Sequence, residues 1–127
     1  MKRQILSALA SAVFLAAVST ASVTAAKPNQ IAVTDGTFAG EASITFSTNL
    51  ERPWAYAECF QDGVLVYAQF VALYDHPQQG DTFRLGPTPS WQGGDAECTA
   101  DLLAYIGRSG TFSNPKATTT FHVSDVP

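Results

Sequence analysis

Pro53-Trp54-Ala55-Tyr56-Ala57-Glu58-Cys59-Phe60-Gln61-Asp62-Gly63-Val64-Leu65-Val66-Tyr67-Ala68-Gln69-Phe70-Val71-Ala72-Leu73 is the stretch that decides the fold class of this chain. Its first arm alternates Trp54, Tyr56, Glu58 and Phe60 with Ala55, Ala57 and Cys59. Its second arm alternates Val64, Val66, Ala68, Phe70 and Ala72 with Leu65, Tyr67, Gln69, Val71 and Leu73. A period of two places successive side chains on opposite faces of a strand. Asp62-Gly63 lies between the arms, and Asp-Gly is a hairpin signal because the tight turn requires positive φ. The spacing predicts one long β-hairpin.

The same period recurs on both sides of it. Ile31–Thr34 reads as a short strand ending at Asp35-Gly36. Within 37–50, Ala42, Ile44 and Phe46 oppose Glu41, Ser43, Thr45 and Ser47, the half-buried pattern of an antiparallel sheet. Residues 74–81 read as loop, and Phe83 and Leu85 share one face of a short strand. From Asp95 to Tyr105, Ala96, Cys98, Ala100, Leu102 and Ala104 point inward. Glu97, Thr99, Asp101 and Tyr105 point outward, joined by Leu103, which a solvated face does not explain. The last strand, 117–123, opposes Thr119, Phe121 and Val123 to Thr118, Thr120 and His122. About seven short strands without helical periodicity predict an all-β immunoglobulin-like antiparallel sandwich.

The amino terminus follows a different logic. Lys2 and Arg3 precede an apolar run over 5–18 and then small residues ending in Thr24-Ala25-Ala26. This is the pattern of a secretory signal peptide, and the run is short for a membrane span. Residues 1–26 are therefore expected to be a leader and 27–127 a single domain exported from the cell. Cleavage after Ala26 removes two of the seven basic residues and none of the eleven acidic ones. Five then stand against eleven, a net charge of −6. Phosphate binding requires clustered Lys or Arg, so nucleic acid and anionic membrane are poor partners for this domain.

Cys59 and Cys98 are the two cysteines of the chain, both on inward faces. An oxidising compartment makes them a disulfide. Ala55, Ala57, Ala96 and Ala100 flank them, and small neighbours let two backbones approach a bridge closely. A redox-active pair would need a lowered thiol pKa, usually from a C-x-x-C at a helix start, which the sequence lacks.

Cys59-x-x-x-Gly63-x-Leu65-Val66-Tyr67, followed by Phe83-x-Leu85-Gly86-Pro87-Thr88-x-Ser90-Trp91-x-Gly93-Gly94-x-Ala96-x-Cys98-x-Ala100-x-Leu102, resembles the small immunoglobulin-like domains of uncharacterised secreted bacterial proteins. The resemblance spans nearly all of the chain after residue 26. It implies fold and export, and it implies no catalytic or binding residue. Antibody-type domains place a core Trp after the first Cys and a Tyr two residues before the second. Here Trp54 precedes Cys59 and Ala96 holds the place of the Tyr, so a bridge within one sheet and a bridge between two sheets both remain open.

Catalytic and metal chemistry find little support. His76 and His122 are unrelated in pattern, and a transition-metal site needs three or four converging ligands. Asp75-His76 with Ser90 or Ser109 lacks a nucleophile-elbow motif. Asp62, Asp75, Asp81, Asp95, Asp101 and Asp125 show no calcium-loop spacing. The sequence thus predicts a non-catalytic protein without metal or cofactor.

One stretch stands above its background: Pro87, Thr88, Pro89, Ser90 and Trp91, in the loop 86–94. Two prolines stiffen it, so it could present Trp91 as a rigid aromatic anchor. Alternatively Trp91 folds back over the core, which its usual burial favours. The expected function is a monomeric extracellular binding module that meets a protein or glycan through this loop or an exposed sheet face. The alternatives are a carrier of a small apolar ligand, with a pocket lined by Trp54, Tyr56, Tyr105 or Phe60, and a secreted protease inhibitor using the loop.

Overall fold

A computed structural model describes residues 29–74, 81–108 and 110–126, in which nine strands and no helix form two sheets. The small sheet has the order β1-β3-β6, from β1 (Gln30–Val33), β3 (Glu41–Ser47) and β6 (Asp81–Arg84). The large sheet runs β2-β9-β7-β4-β5, from β2 (Gly36–Thr37), β9 (Ala117–Ser124), β7 (Ala96–Ile106), β4 (Pro53–Gln61) and β5 (Val64–Ala72). The two-residue β8 (Thr111–Phe112) pairs with the end of β7. All pairings are antiparallel except β2 with β9. Seven of the strands have four or more residues, in line with the alternation in the sequence, and the large sheet curls into a half-barrel. The leader expected over 1–26 lies outside the described residues.

The central hairpin forms as its turn residues dictate. Gln61 pairs with Val64, and Asp62 (φ 51°) and Gly63 (φ 81°) both take the left-handed conformation of a two-residue type I′ loop. The alternation does not reveal a bulge next to the turn. Cys59 pairs with Tyr67 but Phe60 pairs with Leu65, so Val66 is the extra residue on β5. Val66 and Tyr67 are in consequence both buried, and Leu65 is turned to the side of Phe60.

Cys59 and Cys98 are bonded, and they lie directly opposite each other on β4 and β7. The bridge therefore ties neighbouring strands of one sheet, which decides the question the sequence left open. The Cα–Cα distance of 4.0 Å fits a non-hydrogen-bonded antiparallel pair, where facing side chains are closest. Around it Ala57 faces Ala100 and Ala55 faces Leu102, so apart from Leu102 the inner face of β4 and β7 is a floor of small side chains. Phe83, Ile44, Leu85, Trp91, Phe121 and Val123 supply the volume of the core above that floor. Phe83 of the small sheet and Phe121 of the large one stack nearly parallel with centroids 6.2 Å apart.

The sheets do not join between β5 and β6. Side chains fill that gap: Gln69 Oε1 accepts from the Arg84 amide (3.1 Å) and from the Tyr67 hydroxyl, and Thr88 Oγ1 donates to the Val66 carbonyl (2.8 Å). At the opposite margin the 36–40 segment links the sheets, with Phe38 N–H donating to Ser124, Ala39 N–H to Leu85, and Leu85 N–H to Gly40.

Candidate functional site

The small inner floor of β4 has a counterpart on the other side of the same strand. Because side chains alternate, Ala55, Ala57 and Cys59 inward place Trp54, Tyr56 and Phe60 outward, away from the core. Cross-strand pairing then gathers further apolar groups. Tyr56 faces Phe70 on β5, and Trp54 faces Leu103 on β7. Tyr105 faces Phe112 on β8. Leu103 is 6% exposed, although it belongs to the outer face and not to the inner core.

The rings make a continuous network. Tyr56 and Phe70 are 4.3 Å apart at 33°, and Phe70 and Phe112 stack at 4.8 Å and 14°. Trp54 meets Phe70 and Phe112 edge-on and also contacts Tyr74 and Tyr105. Arg52 places its guanidinium 5.6 Å from the Tyr105 ring centroid, a cation–π contact. The cluster is incompletely covered: Phe70 is 46% exposed and Tyr74 37%. The Trp54 indole N–H is buried without an acceptor among the described residues.

Carboxylates border this apolar patch. Glu58 accepts a 2.7 Å hydrogen bond from the Tyr56 hydroxyl, and Asp101, opposite Tyr56, accepts one from Thr118 Oγ1 at 2.8 Å. Burial, together with the hydrogen bond and charge of Glu58 and the charge of Asp101, pushes the Tyr56 phenol up to about 12. Farther along, Glu97 lies opposite both Phe60 and His122. His122 Nδ1 is 2.6 Å from Glu97 Oε2, Nε2 is 3.7 Å from Asp95 Oδ2, and the His122 amide donates to Asp35. The hydrogen bond to Glu97 raises the pKa of His122; partial desolvation opposes this, and the charges of Glu97, Asp95 and Asp35 reinforce it. Among the described residues no group of three or more His, Cys, Asp or Glu side chains is disposed to hold a metal ion.

The Pro-rich loop is built around an inward anchor. Thr88 and Trp91 exchange two backbone hydrogen bonds of 3.0 Å, closing a tight turn over Pro89 and Ser90. Trp91 is 0% exposed, packs edge-on against Phe38 and Tyr67, and donates its indole N–H to the Gly94 carbonyl. Trp91 is thus a core residue, and it is not offered to solvent as a recognition anchor. Its indole belongs to the same buried cluster as the alanines of that floor and is the largest fully buried side chain in it. Pro87, Pro89 and Ser90 are exposed and Thr88 is half-buried.

Trp54, Tyr56 and Tyr105 do come together, yet on the outside of the sheet and not around an interior pocket. A cleft of about 460 Å³ opens elsewhere, between β1, β3 and β9, lined in part by Ile31, Phe46 and Ala117. Asp75, His76 and Ser109 lie outside the described residues, and Ser90 is in the exposed turn. Sequence reasoning did not assemble Phe70, Tyr74, Leu103 and Phe112 into one surface. The available signal was the partition of bulk on β4, with its large rings opposite its alanines. Comparisons with protein-family models, curated proteins and solved structures found no significant match to this chain.

Proposed function

We propose that this chain is a secreted, non-catalytic binding module of immunoglobulin-like architecture, and that it engages its partner through the outer face of the large sheet. The observation that carries this is the aromatic network of Trp54, Tyr56, Phe70, Tyr105 and Phe112 lying outside the core, with Phe70 half exposed. An apolar surface left to water costs free energy, and contiguous patches rimmed by polar groups mark interaction sites. Aromatic residues are also the side chains that dominate binding energies at interfaces.

Export rests on the basic, apolar and small-residue order of 1–26, and the oxidised Cys59–Cys98 pair is in keeping with it. No helix among the described residues is long and apolar enough to cross a membrane. A carrier would need a pocket to load, whereas Trp54, Tyr56 and Tyr105 lie on the outer face of the sheet and Trp91, Phe83 and Leu85 are fully buried. The Pro87–Trp91 turn is secondary as a contact surface, because its one aromatic residue faces inward.

The test is to probe the purified domain against panels of extracellular proteins and linear glycans, comparing wild type with a Phe70→Ser/Tyr74→Ser variant. Binding by the wild type that drops at least about tenfold in the variant is expected, since truncating an aromatic anchor of an interface costs about 2 kcal/mol or more. Equal binding by both proteins would sink the assignment of the outer face. A melting temperature within a few degrees of wild type excludes a folding defect.

A further inference from the structure

We infer that the outer face docks a basic, extended segment of a partner protein, with apolar side chains on the Phe70–Phe112 rings and Lys or Arg side chains over Glu58, Asp101 and Glu97. This rests on the assignment of that face as the binding surface, and narrows it to one ligand chemistry.

Charge is the first ground. The pairings Tyr56–Asp101, Glu58–Thr99 and Phe60–Glu97 make Glu58 the diagonal neighbour of both Asp101 and Glu97. Diagonal neighbours on one sheet face stand roughly 7–8 Å apart at Cα. No outward position of β4, β5, β7 or β9 on this face carries Lys or Arg, and His122 beside Glu97 is its one titratable base. Three carboxylates without a strong cation among them repel one another, and a basic ligand relieves that repulsion. The net charge of −6 after residue 26 extends the attraction to longer range.

Ring geometry is the second. Sugars are gripped by stacking on open aromatic faces, but here Phe70 meets Tyr56 and Phe112 at small interplanar angles, so ring faces are turned to each other. A ridge of ring edges fits aliphatic side chains, including the stems of Lys and Arg, better than a flat pyranose, with the charged heads reaching the carboxylates. Where a ring face is open, at the border of the patch, the protein's own Arg52 rests over Tyr105. A strand presents alternate side chains to one face, so a segment alternating basic and apolar residues matches the arrangement.

The experiment uses the full mature chain and a ten-residue peptide alternating Arg and Leu, with the Glu/Leu peptide and a linear glucan as controls. Amide chemical shifts are followed at 50 and 300 mM salt. The Arg/Leu peptide is expected to shift residues 56, 58, 70 and 101, and to bind at least about fivefold more weakly at the higher salt. Glu58→Gln/Asp101→Asn should weaken it at least about fivefold, and Phe70→Ala should do so independently of salt. No binding of the Arg/Leu peptide at millimolar concentration, or equal binding of the Glu/Leu peptide, overturns the basic-segment inference. Glucan binding abolished by Phe70→Ala would overturn it too, while leaving the binding face in place. Peptide binding indifferent to Phe70→Ala and to the charge variant would overturn both.

Discussion

Leu103 and Trp54 stand directly opposite each other on β7 and β4, on the side of the sheet that faces away from the core. Leu103 is nevertheless buried and Trp54 half-buried, because the rings of Phe70, Tyr74, Tyr105 and Phe112 gather around the indole. The large sheet is thus apolar on both faces over part of its area, with one apolar layer sealed and the other open.

The covered leucine and an uncovered one on the same face should respond differently to truncation. Leu103→Ala is expected to cost about 2 kcal/mol, the low end for a buried leucine, since the layer above it can partly collapse. Leu65→Ala, at 46% exposure, should change stability by no more than about 0.5 kcal/mol. Urea unfolding of the two variants measures both, and equal losses would deny the outer layer a packing role.

The bridge closes a loop between residues separated by 39 positions. In the chain-entropy model this stabilises the fold by about 4 kcal/mol. Against a typical domain stability of roughly 5–15 kcal/mol the loss is large but survivable. The Cys59→Ala/Cys98→Ala variant should keep its strand content at 25 °C yet unfold at markedly lower denaturant, and a reductant should shift the wild type alone.

The two tryptophans serve as separate reporters. Trp91 is sealed and Trp54 is only half covered, so acrylamide should quench the Trp91→Phe variant more than the Trp54→Phe variant. Trp91→Ala, which removes the largest fully buried side chain, should cost about 3–5 kcal/mol. Its exposed neighbour in the turn should be far more tolerant, with Pro89→Ala within about 1 kcal/mol.

His122 should titrate above the ordinary histidine value, because its protonated ring is held by Glu97 and faces Asp95. The sign follows from linkage: a pKa raised on folding stabilises the native state fully below the unfolded value near 6.5. That contribution is lost as pH rises through the higher folded value. A histidine ring titration by NMR gives the folded pKa, and Glu97→Gln should lower it. The difference in stability between wild type and His122→Gln should shrink as the solution is taken from pH 6 to pH 9.

Tyr56 offers a second titration on the outer face of the large sheet. Its phenol should ionise near pH 12 and not near 10, as followed by absorbance of the phenolate. Glu58→Gln should bring it down, since the carboxylate both accepts its proton and repels the phenolate.

Much of this architecture is legible from local pattern. Ala55, Ala57, Cys59 and their partners Ala100 and Leu102 were inward by alternation, and they are fully buried. Asp62-Gly63 marked the turn because few residue pairs tolerate two positive φ angles. The bulge at Val66 is not legible, since Val64, Leu65 and Val66 are all apolar and a one-residue slip in such a run leaves no mark on the sequence. The outer cluster was only half visible: the bulk of Trp54 and Tyr56 opposite alanines could be read on β4, but Phe70 and Phe112 join it across strand pairings that alternation does not specify.

The sequence by itself determined the strand period, the turn and the pairing of the two cysteines, because each depends on neighbours in the chain or on there being a single possible partner. Apart from the β4–β5 hairpin, which strands lie side by side was decided only by the tertiary structure. It placed β6 with β3, set Cys59 and Cys98 within one sheet, folded Trp91 into the core and brought Phe112 onto Phe70. These outcomes depend on filling the volume above a floor of small side chains, and volume is a property of the assembled sheets.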